Sequence, residues 1–325
     1  MAFLKNIGQN IIASTPIQFI LEKSKKTTLP GFNGIPLYDV TKFFITQVRT
    51  IGMTERASAI SFNFVMAIPP ALIFLFTLLP FIPITHLFEN QLYGLIKDII
   101  PGEKNNTAII SFLQDFINKP RNGLLSLSFI LSIFFSSNAL MGIMRSFNKN
   151  YIGFRKRTGL QIRSVAIKIT LILFLLVIVS ILLLIGREAI LKWLGIENET
   201  IRFIILNARW LIIVLLFFTT ISLIYRMAPA VHKKWRFINP GSILATFLML
   251  MMTLLFSWWV SRFGTYNQLY GSIGTILIVM VMIFINSIVL LIGFELNVSI
   301  NSLKRIAEER KENSPAGNKI NKQAT

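Results

Sequence analysis

Hydrolytic or redox chemistry needs a nucleophile beside a base, carboxylates and imidazoles gathered around a metal, or paired thiols. The 325-residue chain has no cysteine, two histidines (His86 and His232) and 14 acids scattered mostly through loops. Disulfides, Cys-ligated zinc, iron–sulfur clusters and thiol catalysis are excluded. Neither a metal-dependent nor a metal-free nuclease centre can be assembled from what is left, so no catalytic residue, metal or cofactor is assigned. The polar residues that stand out do so by their position in apolar sequence. Ser61 and Asn63 precede the pair Pro69-Pro70 in one such stretch. Ser128, Ser132 and Ser136 recur at i, i+4, i+8 in the next, with Asn138 close by; Arg209 falls inside a fourth, and Glu295 borders the last. Their chemistry is non-covalent: polar contacts along a substrate path, or hydrogen bonds between helices.

The elements that carry these residues read as membrane spans. Hydrophobic residues make up 54% of the chain and charged ones 14%, with a mean hydropathy of +0.64; a soluble domain carries about 25% charged residues. A span needs roughly 20 mainly apolar residues. Six stretches qualify, at approximately Ser58–Ile82, Leu124–Met144, Val165–Gly186, Phe203–Ile224, Ser242–Val260 and Ser272–Phe294. From Ile169 to Ile185 the third contains no charge, and its polar residues are Thr170 and Ser180 alone. The expected fold is all-α: a polytopic membrane protein with six transmembrane helices plus amphipathic interfacial and extracytoplasmic helices. A soluble helical core does not sustain six runs of this length.

Orientation follows from the basic residues. Of 33 Lys and Arg, 23 precede the first span, follow the last, or lie in the second-to-third and fourth-to-fifth connections; the other three connections share eight. The positive-inside rule puts both termini in the cytoplasm. The formal charge of +19 is mostly this topology signal. It points to anionic lipid headgroups at the cytoplasmic face as partners. The cations are spread over four segments rather than one stripe, which argues against nucleic acid.

Residues 1–36 are expected to be a cytoplasmic N-terminal segment, loose over 22–36; Met1–Phe19 does not read as a secretory signal. Residues 37–301 form the transmembrane domain, and 302–325 a polar, disordered cytoplasmic tail. From Leu37 a helical stripe (Leu37, Val40, Phe43, Phe44, Val48, Ile51) suits either the membrane surface or packing on the bundle. Two further stripes between the first two spans, residues 87–100 and 109–117, are outer helices that cap the bundle or lie in the outer leaflet.

Inside the spans, Pro69-Pro70 remove backbone donors, so the first helix is expected to be kinked or interrupted near its middle. A break of this kind marks a binding site in some transporters, while a plain packing kink is the simpler reading. Ser61, Asn63, Pro69, Pro70, Asn138 and Arg209 are the substrate-path candidates. The serine stripe fits tight helix packing or a polar pathway, and Arg209 fits a snorkelling cation beside Trp210. Gly264 and Gly271 in the last connection permit tight turns, and Gly271 with Gly274 permits close helix approach. Glu295 is expected to pair with Arg226, Lys304 or Arg305.

Several of these segments together resemble a known family. Tyr225-Arg226-Met227-Ala228-Pro229, Asn239-Pro240-Gly241, Phe263-Gly264-Thr265-Tyr266-Asn267, Tyr270-Gly271-Ser272-Ile273-Gly274 and Gly293-Phe294-Glu295-Leu296-Asn297 are similar to the C-terminal half of the YihY/BrkB family of bacterial inner-membrane proteins. Asn148 and Tyr151 resemble that family's Asn and aromatic after the second span. The first span departs from the family pattern, with Ser61-Phe62-Asn63 and Ala67-Ile68-Pro69-Pro70 where an Ala-Phe-Tyr stretch and a Ser-Leu-Phe-Pro end are usual. The resemblance implies a six-span inner-membrane fold and a link to transport of lipid-like or envelope molecules. Some family members carry a ribonuclease label, which the residues here do not support. Two functions stay open: a transporter or flippase of an amphipathic envelope molecule, acting alone or as a homo-oligomer, and a non-transporting scaffold docking partners through basic cytoplasmic loops.

Overall fold

The computed structural model describes residues 15–78, 111, 122–148, 154–193, 209–262 and 266–312. The helices among them are α1 (Thr15–Lys26), α2 (Leu37–Thr50), α3 (Met53–Leu78), α4 (Asn122–Phe147), α5 (Gly159–Trp193), α6 (Arg209–Met227), α7 (Pro240–Arg262) and α8 (Tyr266–Glu312). Hydrocarbon offers the backbone no hydrogen-bond partner, so an apolar run closes its bonds within itself as a helix. Five segments are long and apolar enough to cross a bilayer: Met53–Leu75, Gly123–Phe147, Gly159–Ser180, Pro240–Val260 and Leu277–Arg310. Leu211–Met227 is a shorter apolar helix, the described part of the fourth expected span. The chain is an all-α, multi-pass membrane protein. The expected outer helices at 87–100 and 109–117 lie outside the described residues, apart from Ser111.

Helices α3 to α8 pack in chain order, and α8 returns to α3, closing a ring. One end of the ring carries the basic connections and α2; it is called the basic end here. There the interior is filled. Phe147 of α4 stacks on Phe294 of α8 with ring centroids 3.7 Å apart, and Tyr225 and Trp235 pack around the pair. Ala57, Ile60, Ile143, Met144, Ile169 and Ile221 complete this core. Lipid tails are as apolar as these side chains, so dispersion and close fit, rather than escape from water, hold the core together. Toward the far end the two sides of the ring differ. α3 and α4 stay in contact, with Phe74, Thr77, Ser128 and Ser132 buried. On α5 to α8, none of the described residues 171–179, 211–220, 247–260 and 277–286 is buried, although Ser180 of α5, next along that helix, is. The ring is sealed at its basic end and splayed along α5–α8 beyond it.

Two contacts lock the sealed end. α7 and α8 cross at Gly241 and Gly293, where a Cβ on Gly293 would stand 2.6 Å from the Gly241 carbonyl oxygen, Ala245 Cβ and Tyr225 Oη. Only hydrogen fits between these backbones. α3 is tied to α8 by a buried ion pair, Arg56 Nη1 to Glu295 Oε1 at 2.7 Å, with both side chains under 10% exposed. The other arm, Arg56 Nη2, donates to the Ser146 carbonyl of α4. One guanidinium thus joins three helices.

Several expectations are corrected. Glu295 pairs with Arg56 and not with Arg226, Lys304 or Arg305, all of which point outward; Lys304 instead meets Glu308 at 3.6 Å. α3 runs unbroken through Pro69 and Pro70, so the first span is not interrupted. Gly271 lies within α8, which begins at Tyr266, rather than in a turn. The segment 22–36 is not loose: α1 reaches Lys26, and Phe32 is buried with Val40 of α2 against Ile300. That contact also decides for α2, which packs on the bundle. The expected disordered tail is helical through Glu312, because α8 continues about 16 Å past residue 301 at 1.5 Å per residue and α2 supports its base.

Gly241→Ala should cost about 3 kcal/mol, at the upper end for overpacking, because backbone rather than a side chain must yield. Gly123→Ala, whose added Cβ meets nothing within 4 Å, should be near neutral. Thermal unfolding of both in one detergent checks this, and equal midpoints would contradict it. Glu295→Ala strands Arg56 in the core and should cost about 3–5 kcal/mol, while Arg56→Met with Glu295→Leu should recover most of the loss. A double variant no more stable than Glu295→Ala would show that the pair is not what joins α3 to α8.

Candidate functional site

A cavity of about 240 Å³ lies between α3, α4 and α5, roughly midway along the bundle and just beyond the sealed core. Phe64, Ala67, Ile68 and Ala71 line it from α3, Ser136, Ala139 and Leu140 from α4, and Thr170, Leu173, Phe174 and Val177 from α5. Small residues on α3 and α4 leave the space, and α5 bounds it with larger ones. Of the two hydroxyls, Thr170 is committed to the Ala166 carbonyl at 2.9 Å. The cavity therefore suits an acyl chain or another apolar group and has little to offer an ion.

The structure separates the expected path residues. Ser61 is buried and donates to the Ala57 carbonyl at 2.6 Å and to Ser287 of α8 at 3.2 Å. Asn63 donates to the Ala59 carbonyl at 2.7 Å and lies against Gly142 of α4. Pro69 and Pro70 flank the cavity in sequence without lining it. Asn138 Oδ1 accepts from Arg163 Nη1, whose guanidinium also sits 4.7 Å over the Phe134 ring. Arg209 starts α6, and its side chain lies outside the described residues. Within the serine stripe, Ser128 meets Thr77 of α3 at 3.2 Å, an interhelical bond, and Ser136 reaches the cavity. Those whose side chains are described do not form one polar site.

The motif residues of the C-terminal half converge on the seal. Asn239 caps α7, its Oδ1 accepting from Ser242 N at 2.8 Å, with Pro240 in the first helical position. Asn297 of α8 reads the same turn, accepting from Gly241 N at 2.9 Å and donating to Asn239 Oδ1 at 2.6 Å. Tyr225 Oη donates to the Leu290 carbonyl at 2.6 Å. Asn148 Oδ1 accepts from Ala230 N at 3.0 Å, and Arg155 N donates to Ala230 O at 2.6 Å beside the Phe154–Val231 bridge. Arg157 donates to the carbonyls of Ala228 and Pro229 at 2.9 and 3.1 Å, closing the C-terminus of α6; burial pulls its pKa below the ordinary value. Pro229 is buried and Arg226 exposed in this turn. Phe263 and Gly264 lie outside the described residues, as do the side chains of Tyr266, Asn267 and Tyr270.

Sequence reading missed Arg56, counted only as a topology charge, and Arg163 as the partner of Asn138. The signal for Arg56 is present: with Ile60, Phe64 and Ala67 it shares one helical face, so an arginine stands on the inward stripe. Among the described residues, no three His, Cys, Asp or Glu side chains gather at one point.

The chain is 27% identical over 258 residues to the ribonuclease-like protein YfkH of Bacillus subtilis, covering 78% of this chain and 92% of that one. It is 26% identical over 255 residues to a UPF0761 membrane protein of Chromohalobacter salexigens, covering 77% of this chain and 60% of the relative. A UPF0761 membrane protein of Idiomarina loihiensis is 32% identical over 91 residues, 28% of this chain and 32% of its own. No solved structure matches. Residues 44–319 match the family described as Virulence factor BrkB, and the chain belongs to that family.

Proposed function

We propose that the protein moves a lipid-like, amphipathic envelope molecule between the leaflets of the bacterial inner membrane, as a transporter or flippase. The observation that carries this reading is the asymmetry of the ring: packed solid at the basic end, splayed along α5–α8 at the other, with an apolar cavity between. A protein that only docks partners needs no such interior. The reading takes the basic end as cytoplasmic, both termini included, from the distribution of Lys and Arg. Anionic headgroups gather there, each nearby cation contributing about 1 kcal/mol of attraction.

No catalytic step enters this reading. The ribonuclease-like name belongs to the Bacillus relative, and Glu295, the buried acid among the described residues, is bound to Arg56 in a structural pair. The scaffold alternative draws on the projecting end of α8, where Lys304, Arg305 and Arg310 are exposed.

Ala139 is buried and borders the cavity, so Ala139→Phe fills the space from within. In proteoliposomes, the variant should stay folded and monodisperse while movement of a fluorescent phospholipid falls to the level of empty vesicles. Leu131→Phe, on a face of α4 that is 40% exposed, should move lipid at the rate of the unaltered chain. Unchanged movement in a folded Ala139→Phe protein would remove the cavity from the path. No movement by the unaltered chain, together with a stably copurifying protein partner, would favour the scaffold.

A further inference from the structure

Among the buried side-chain atoms without a hydrogen-bond partner among the described residues, three fall one on each of three successive helices: Ser222 Oγ of α6, Thr253 Oγ1 of α7 and Asn286 Oδ1 of α8, the last two on residues that are otherwise partly exposed. Contacts already described bring them to one depth. Tyr225 on the Leu290 carbonyl sets α6 against α8; Ser222 is three residues from the first and Asn286 four from the second, both toward the far end. Ala245 against Gly293 sets α7 against α8. Thr253 is eight residues from the first and Asn286 seven from the second, again toward the far end. At 1.5 Å per residue, the three groups fall within about one helical turn of a common level. Ser61 and Ser287, bonded to each other at 3.2 Å, occupy the neighbouring position at the α3–α8 contact.

This level is the floor of the splayed half. Below it lies the aromatic seal; above it, none of the described residues 211–220, 254–260 and 277–285 is buried. An unpartnered hydroxyl or amide oxygen in an apolar interior is costly, and native proteins rarely keep one without a use. Apolar residues of similar shape would make a more stable floor.

We infer that Ser222, Thr253 and Asn286 form a hydrogen-bonding site for the hydroxyl groups of an amphipathic molecule's headgroup. The donor set decides the ligand class. Asn286 Oδ1 accepts and its Nδ2 donates, and the two side-chain hydroxyls do both, so the site matches a ligand that offers donors and acceptors together. Among the described residues, the nearest buried charges, Arg56 and Glu295, lie about two turns below and are bound to each other. A neutral polyol or sugar fits this site, and a bare phosphate or a quaternary ammonium does not. The inference rests on the proposed lipid movement for its purpose but not for its test.

The test is binding. The full chain in phosphatidylcholine nanodiscs, whose headgroups carry no donor, is titrated with monoglucosyl diacylglycerol, and the thermal unfolding midpoint is read. Glycolipid should raise the midpoint of the unaltered chain and leave that of Ser222→Ala with Asn286→Leu unmoved. Without glycolipid, the double variant should unfold at or above the midpoint of the unaltered chain, since it loses orphaned polar groups and no internal bond. Thr253→Val, isosteric and gentler, should weaken the shift without lowering the baseline. No shift in the unaltered chain, an equal shift in the double variant, or a fall in its ligand-free midpoint would each overturn the site. Loss of lipid movement in Ala139→Phe with the glycolipid shift intact would separate the transport path from this site.

Discussion

Hydrocarbon satisfies no hydrogen bond, and this one constraint organises the molecule. It forces the six apolar runs into helices, and it decides which polar groups can live among them. Arg56 is tolerable because Glu295 and the Ser146 carbonyl take both of its arms. The C-terminus of α6 is tolerable because Arg157 covers the Met227 carbonyl and the two that follow it, and the start of α7 because Asn239 and Asn297 close its first turn. Each family-motif residue that the structure describes at the α7–α8 crossing answers either this demand or the demand for close backbone approach. The motif is a specification for sealing one end of a ring of helices.

The sealing has a functional consequence. Once an ion pair, a glycine crossing and a stacked aromatic pair hold the basic end shut, the ring need not be packed elsewhere, and along α5–α8 it is not. Polar and apolar provisions then fall on opposite sides of the interior: a chain-sized apolar cavity at α3–α5, and orphaned hydroxyl and amide groups at α6–α8. An amphipathic molecule matches both. Movement of such a molecule across the bilayer further requires the seal to open, and the contacts between α3 and α8 are the ones that would have to part.

Much of this was legible in the residues. Fold class and family follow from run lengths and from segments such as Asn239-Pro240-Gly241, because both depend on local pattern. Partnerships across the ring did not follow. Glu295 could be seen to need a cation, yet its partner lies 239 positions earlier in the chain, and sequence distance favoured Lys304 or Arg305. Pro69 and Pro70 carry a strong local expectation of a break, which tertiary packing of α3 on α4 and α8 overrides. The cavity was not legible at all, since it arises from small residues on two helices facing larger ones on a third. Thr253 and Asn286 gave no signal either: one Thr and one Asn in apolar runs look like ordinary packing until their neighbours are known.

The most direct measurement is where lipid reaches inside the unaltered protein. A phospholipid bearing a photoreactive group on its acyl chain, activated in membranes and mapped by mass spectrometry, reports this contact residue by residue. Adducts on the cavity lining, such as Leu173, Phe174 and Val177, with none on Ile143, Met144, Phe147 or Phe294, are the expected result. Adducts on the aromatic seal, or an interior untouched while only outward-facing residues react, would contradict a ring closed at one end and open to lipid at the other.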